Sequence, residues 1–306
     1  MGEHEIITEG AEDWVRAFVP SAGRLELFQS EPWGSVFRVR VDADPVWFKA
    51  CAPRQAFEVP MTAALSARWK SVTDVIAHDA GRRWLLMADA GETFRTLGNP
   101  PERWIEILPA YAELQVEETG HADEHLARGV PDLRLERLPG LYEEVLGAEL
   151  PVDAAEKRAL ESLAPLLPDW CDELAAAGIG PTVQHDDLHM NNVYVKGDSL
   201  RVLDWGDSSI AHPFFSLFET FRFLVALNGL PDDDPWFARL RDAYLEPWGS
   251  GHRRAFHLAL RLAGPAHAIA WLHQRKALPV ADRAEFDVGY AEILRLTLRR
   301  AAESTG

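Results

Sequence analysis

The densest cluster of chemistry-bearing side chains runs from Gln184 to Asp207. It reads Gln184-His-Asp-Asp-Leu-His-Met-Asn-Asn192, then Val-Tyr-Val, a Lys196-Gly-Asp198 turn, and Arg201-Val-Leu-Asp-Trp-Gly-Asp207. Two short strands joined by that turn form a hairpin, which brings the residue before the first strand and the residue after the second to one end. Asn192 and Asp204 are thereby expected to be neighbours. An amide oxygen and a carboxylate at one edge, with another carboxylate just upstream, are hard ligands suited to magnesium carrying a polyphosphate. The spacing Asp-x-x-x-x-Asn is met twice, by Asp186 with Asn191 and by Asp187 with Asn192, and leaves both registers open. His185 and His189 stand four apart, but the strand signals around them and the lack of a third ligand speak against zinc. His185 is expected to brace the loop by packing and hydrogen bonding. Asp207 either faces a substrate or caps a following helix across Ser208 and Ser209, and both readings stand.

A second candidate lies far upstream. Lys49 ends the segment Val46-Trp-Phe-Lys49, and a lysine facing inward there reaches phosphates as a point charge. A buried lysine requires a counter-charge, and Glu58, at the start of the next helical segment, is the nearest carboxylate that qualifies.

The elements that position these residues change character near residue 90. Leu25 to Phe28, Val36 to Val41 and Val46 to Ala50 alternate with period two and are separated by Pro32-Trp-Gly34 and Asp42-Ala-Asp44. Val75 to Ala77 and Trp84 to Met87 read as two more strands, and a helix is predicted between, over Ala56 to Trp69, with Pro60 limiting where it begins. Beyond Asp89-Ala-Gly91 the pattern is helical over Glu102–Glu118, Ala122–Arg128, Asp153–Ala177, Phe214–Asn228, Pro235–Tyr244, His252–Lys276 and Asp282–Ala302. A β-like island, Thr182 to Val195 followed by the Lys196-Gly-Asp198 turn and Leu200 to Leu203, interrupts these helices and holds the polar cluster. The reading is α+β, with a small sheet-rich domain over residues 1–88 and a larger helical one over 89–306.

Composition excludes several function classes. The 306 residues carry 31 basic against 48 acidic side chains, a formal charge of −17, whereas a nucleic-acid groove needs a basic patch. The uncharged stretch Leu262 to Gln274 is short of the ~20 apolar residues a membrane span requires and is interrupted by Pro265. The start, Met1-Gly-Glu-His-Glu, is acidic where a secretory leader is basic. Cys51 and Cys171 suit neither a metal motif nor a disulfide scaffold. A cytoplasmic protein with free thiols is expected. Trp205, Trp236, Trp248 and Trp271 invite a reading as a cage for a cation, with core packing the default. The runs Asp232–Asp234 and Glu143–Glu144 are expected on solvated surfaces.

The pattern His185-x-Asp187-Leu188-His189-x-x-Asn192, followed by Asp204-Trp-Gly-Asp207, resembles the catalytic and metal-binding loops of the aminoglycoside phosphotransferase and choline kinase superfamily. The resemblance implies a bilobal, protein-kinase-like fold with a five-stranded antiparallel first lobe, and it selects the register of Asp187 with Asn192. Asp187 would then position an acceptor hydroxyl and act as its base, while Asn192 and Asp204 hold Mg2+. Lys49 and Glu58 become the strand lysine and helix glutamate that serve ATP. Gly34 and Ser35, in the turn Glu31-Pro-Trp-Gly-Ser-Val36, would cover its phosphates, and Met87, Ala88 and Asp89 would form the hinge against a purine ring. The implied reaction is transfer of the γ-phosphoryl group of ATP to a small hydroxyl acceptor. The acidic charge favours a cationic one, such as an aminoglycoside, amino sugar or choline-like amino alcohol. A non-catalytic pseudokinase or scaffold is the alternative, and the intact set Lys49, Asp187, Asn192 and Asp204 speaks against it. The short path from Asp204 through His212-Pro213 to a helix leaves no activation segment of a protein kinase.

Overall fold

The computed structural model describes residues 10–42 and 44–302. The acidic Met1 to Glu5 start, and Ala43 of the Asp42-Ala-Asp44 turn, lie outside the described residues. In chain order the strands are β1 Leu25–Glu31, β2 Gly34–Val39, β3 Val46–Cys51, β4 Val75–Asp79, β5 Trp84–Ala88, β6 Glu92–Thr93, β7 Thr182–Gln184, β8 Val193–Lys196, β9 Ser199–Val202 and β10 Ser209–Ala211. The chain forms two compact units, each discontinuous in sequence. The first comprises the described residues up to Gly98 with Arg128–Val130 and Met190–Gly206, and the second the remainder.

In the first unit β1 to β5 form one antiparallel sheet in the order β1-β2-β3-β5-β4, from the five segments expected of the sequence. Both faces are covered, and the pleat of β3 shows how. Val46, Phe48 and Ala50 pack with Val39, Trp84 and Leu86 against Ala11 and Val15 of the helix Ala11–Phe18. Cys51 and Trp47 share the opposite face with Leu85, Met87 and Val59, the last from the helix Glu58–Arg68. Lys49 sits between Trp47 and Cys51 in the period-two alternation, so the strand itself aims it at the helix that carries Glu58. Pro60 falls in the first turn of that helix, where its missing N–H is not needed. The helix Ala11–Phe18 is not among the expected elements, because at eight residues its apolar stripe is too short to stand out.

The hairpin of β8 and β9 pairs Val193 with Val202 and Lys196 with Ser199 around the turn Gly197-Asp198. Leu203 N–H donates to the Asn192 carbonyl at 2.9 Å, so the hairpin closes at the Asn192–Asp204 end as the turn chemistry requires. On its other side β8 pairs with β6, an element the sequence did not signal. Gly91 makes that approach possible, since it has φ +91 and a Cβ there would lie 2.1 Å from the Val195 carbonyl oxygen. Gly91→Ala is therefore expected to destabilise by about 2 kcal/mol or more. Gly98→Ala also has positive φ but open space around it, and should cost only about 1 kcal/mol. Urea titration of both variants separates the clash from the backbone term.

The second unit is mainly helical. It contains Pro101–Glu118, Ala122–Ala127, Leu217–Asn228, Pro235–Leu245, Arg253–Ala277 and Arg283–Ala302, each within a few residues of its expected range. The single helix expected over Asp153–Ala177 is instead two, Ala154–Glu161 and Leu167–Ala175. Pro165 explains the break, because its ring clashes with the carbonyl four residues back, at Glu161. The helix Leu138–Leu146 escapes the pattern because Pro139 and Gly140 mask it, although Pro139 occupies its first turn without penalty. β7 and β10 pair antiparallel. Because Ser209–Ala211 is a strand and the next α-helix begins at Leu217, Asp207 caps no helix across Ser208 and Ser209. Cys51 and Cys171 are buried free thiols. Among the described residues no helix is long and apolar enough to cross a membrane.

Candidate active site

In the first unit Lys49 is the centre of a buried charge cluster. Its Nζ lies 2.6 Å from Glu58 Oε1 and 2.7 Å from Asp204 Oδ1. The Lys49 and Glu58 side chains are 7% and 2% exposed, whereas that of Asp204 is 49% exposed. Burial alone would push the Lys49 ammonium down, but the Asp204 and Glu58 carboxylates outweigh it and hold its pKa well above the ordinary value. Burial raises Glu58 in turn, against the pull of Lys49. The Cys51 thiol also donates to Glu58, at 3.3 Å. Gly206 leaves room for this arrangement, since a Cβ there would come within 2.9 Å of Glu58 Oε2. Trp205 is fully buried, with its indole N–H on the Val202 carbonyl, which makes it core and not cage.

The other nucleotide-site candidates also fall in this unit. Gly34 begins β2, where a Cβ would meet the Ala50 carbonyl oxygen at 2.9 Å, and Ser35 beside it is buried, its hydroxyl 3.2 Å from that of Ser30. Met87 is buried at the end of β5. Ala88 N–H donates to the Asp74 carbonyl, and Asp89 accepts from the Trp47 indole at 3.0 Å. Asn192 is 6% exposed at the mouth of the hairpin. Among the described residues no group of three or more His, Cys, Asp or Glu forms a metal cluster. A magnesium ion that brings phosphate and water oxygens needs only one or two carboxylates from protein. The half-exposed Asp204 carboxylate with the Asn192 amide fits that donor set.

In the second unit the loop after β7 carries Asp187. Its backbone is held by His185, whose ring is fully buried and whose Nδ1 accepts the Asp187 N–H at 3.3 Å. Tyr111 Oη accepts the His185 N–H, and Thr220 donates to the Leu188 carbonyl at 2.7 Å. The Asp187 side chain is 33% exposed, with Oδ1 3.1 Å from His189 Nε2. His189 is in turn packed on Phe223, ring centroids 4.3 Å apart. Asp187 is thus a partly solvated carboxylate in a fixed loop, oriented by a histidine.

Asp187 lines a small cavity of about 60 Å³. Two helices build its far wall. Glu219 and Arg222, three apart on Leu217–Asn228, form an ion pair of 2.6 Å. His267, Trp271 and Gln274, at successive turns of Arg253–Ala277, present one helical stripe to it. The Gln274 amide donates to Asp207, which therefore faces the cavity. Gly289 makes space for Trp271, because a Cβ there would lie 2.7 Å from the indole. Trp236 and Trp248 lie outside the cavity lining: Trp236 carries the Arg239 guanidinium 3.9 Å above its ring, and Trp248 packs edge-on against Phe214. None of Glu219, Arg222, His267 or Gln274 was picked out from the sequence. The available signals were a lone carboxylate in the apolar run Leu-Phe-Glu219-Thr-Phe and a polar stripe inside the uncharged stretch Leu262 to Gln274.

Asp186 differs from its neighbour. Its carboxyl is buried and hydrogen-bonded by Ser209, and burial, reinforced by the charges of Glu219 and Asp187, raises its pKa to about 8. An unfolded aspartate ionises near pH ~4, so between that value and the folded one the native state holds a proton that the unfolded state releases. Stability from this group is complete at low pH and falls as pH rises toward about 8. Asp186 also has φ +61, a conformation asparagine tolerates. Asp186→Asn should therefore be more stable relative to wild type at pH 8 than at pH 5, by more than ~1 kcal/mol. Thermal melts at the two pH values check this, and equal differences would show that Asp186 is ionised in the native state.

Residues 36–258 match the phosphotransferase enzyme family. No curated protein matches the sequence. Among solved structures the chain is similar to a choline/ethanolamine kinase family protein from Mesorhizobium loti, 16% identical, with 96% of this chain and 99% of that one covered and a TM-score of 0.64. It is similar to the choline kinase LicA of Streptococcus pneumoniae at 11% identity, with coverage of 95% and 98% and a TM-score of 0.62. It also resembles aminoglycoside 2′-phosphotransferase-IIIa in its GDP complex, 14% identical, with coverage of 95% and 98% and a TM-score of 0.59. These likenesses establish the α+β, protein-kinase-like architecture that the five-stranded sheet and the helical unit display. With the matched segment running from β2 into the helix that carries His267, Trp271 and Gln274, the chain belongs to the phosphotransferase enzyme family.

Proposed function

We propose that this small-molecule kinase transfers the γ-phosphoryl group of ATP to a hydroxyl of a small cationic acceptor, with Asp187 as the residue that positions the hydroxyl and accepts its proton. The observation that carries the reading is the setting of Asp187. It is a partly exposed carboxylate, 3.1 Å from His189 Nε2, on a cavity that also holds Asp207 and Glu219. Burial raises the Asp186 pKa to about 8 and raises that of Glu219, which pairs with Arg222, so the Asp187 and Asp207 carboxylates give the cavity its negative character and it favours a positive ligand. Choline, ethanolamine and aminoglycosides in the names of structurally similar enzymes agree with such an acceptor.

On the nucleotide side, Lys49 would meet the phosphates as a point charge, kept protonated by Glu58 and Asp204. Asn192 and Asp204 would hold magnesium, which when bound neutralises charge on the transferring group. Gly34 and Ser35 would lie over the phosphates, and Met87, Ala88 and Asp89 along the purine. The protein's share of catalysis is then orientation of the hydroxyl and acceptance of its proton.

Magnesium-dependent ADP release by the purified protein, across aminoglycosides, amino sugars, amino alcohols, nucleosides and neutral sugars, tests the reading. Turnover of an amino compound above its neutral counterpart is expected. Preference for neutral sugars would overturn the cationic acceptor. Asp204→Ala should weaken magnesium-ATP binding about tenfold or more, and unchanged affinity by calorimetry would remove Asp204 from the metal site.

A further inference from the structure

The cavity beside Asp187 is bordered by two residues that each carry a buried polar atom with no partner among the described residues, Oε1 of Glu219 and Nε2 of His267. The two residues are 3% and 2% exposed. Arg222 donates twice to Glu219, from Nε at 2.8 Å and Nη2 at 2.6 Å, but both bonds go to Oε2. Oε1 lies 3.8 Å from the nearer His267 nitrogen, Nδ1, beyond hydrogen-bond reach. The imidazole is held in place by stacking on Phe218, with ring centroids 4.6 Å apart and planes 18° apart. Burial pushes its pKa down to about 3, so the ring is neutral and supplies no charge to Glu219. Burial raises the Glu219 pKa against the pull of Arg222, since a buried carboxylate oxygen without a donor is costly, and a ligand that brings an N–H or O–H removes that cost.

A cation as such does not answer this requirement. Trp271 lines the cavity, and an aromatic ring attracts any cation, methylated or not. Oε1 asks for a hydrogen. Protonated primary, secondary and tertiary amines each carry at least one N–H, whereas a quaternary ammonium covers its charge with methyl groups and leaves the oxygen unsatisfied. We propose that Glu219, with His267 beside it, reads the acceptor through an N–H, so that the enzyme takes protonated amines and rejects quaternary ammonium compounds. The inference rests on the reading of the Asp187 cavity as the acceptor site.

The test uses 2-aminoethanol with its N-methyl, N,N-dimethyl and N,N,N-trimethyl derivatives, and 2-amino-2-deoxyglucose with its N,N,N-trimethyl derivative. Both kcat/KM for ADP release and Kd by calorimetry are read. The first three amino alcohols are expected to lie within a few-fold of one another, with a drop of about tenfold or more at the last methylation, and the amino sugar pair should show the same drop. A smooth series, a quaternary optimum, or no amine binding at all would overturn the proposal. Replacing both members of the ion pair, Glu219→Leu with Arg222→Met, strands neither charge and should reduce the drop to under about twofold. A drop that survives there would take the assignment away from Glu219. Should that variant not fold, the wild-type series decides alone. Binding that shows the drop without turnover of any acceptor would uphold the recognition and refute the phosphotransfer reading, so the two failures are distinct.

Discussion

Asp187→Asn is expected to lower kcat by about 10²- to 10⁴-fold while leaving magnesium-ATP affinity within about twofold of wild type. The substitution is nearly isosteric and keeps the loop, because the contacts that fix it come from elsewhere. His185 accepts the Asp187 N–H, Tyr111 accepts the His185 N–H, and Thr220 holds the Leu188 carbonyl. What is lost is an oxygen able to take a proton from the acceptor hydroxyl, and the carboxylate oxygen 3.1 Å from His189 Nε2. Steady-state ADP release with the best acceptor and calorimetry with magnesium-ATP measure the two quantities separately. A rate within about threefold of wild type would remove Asp187 from its role. Asp186→Asn is the matched control, since that carboxyl is buried against Ser209, with its pKa raised to about 8 by burial, and its loss should not mimic the Asp187 defect.

Lys49→Met is expected to act on stability and on nucleotide binding together, and the two can be separated. Its ammonium is the shared partner of Glu58 and Asp204, at 2.6 and 2.7 Å. Removing it leaves Glu58 buried at 2% exposure with only the Cys51 thiol as donor among the described residues. Breaking a buried pair from one side costs about 3–5 kcal/mol, unless Glu58 takes up a proton. Burial already raises the Glu58 pKa, and without Lys49 the rise is larger. A carboxyl so raised contributes stability at low pH and loses it as pH climbs through the folded pKa, so the defect should be greater at pH 8 than at pH 5. Adding Glu58→Gln removes the stranded charge, and the double variant should be more stable than Lys49→Met alone. Magnesium-ATP binding should stay lost in both. Recovery of binding along with stability would mean that Lys49 is structural and does not touch the nucleotide.

The fold was legible where pattern is local. The period-two alternation of β1 to β5 and the 3.6-residue stripes of the long helices come from side chains that must face a core, and both survive into the structure. Misses occurred where length or punctuation hid the pattern. The eight-residue helix Ala11–Phe18 is too short to announce itself, Pro139-Gly140 disguises Leu138–Leu146, and the break after Glu161 follows from a proline four residues later. The strands β6 and β10 are short pairings with distant partners, β8 and β7, and nothing local specifies them.

The same distinction holds within the site. Residue type and spacing by themselves determined that Lys49 lies on a strand facing the Glu58 helix, and that Asn192 and Asp204 close one hairpin, because strand pleat and turn geometry act over a few residues. They also brought out Asp187 as one of two carboxylates in register. Only the tertiary structure decided that Glu219, His267, Trp271 and Gln274, from helices far apart in the chain, wall the cavity beside it. The different settings of the two neighbours, Asp186 buried with its pKa raised and Asp187 partly solvated, likewise come from packing. Burial and the positions of partner atoms set the free energy of a charge or an unmet hydrogen bond, and both are properties of the folded assembly, which no local stretch of sequence contains.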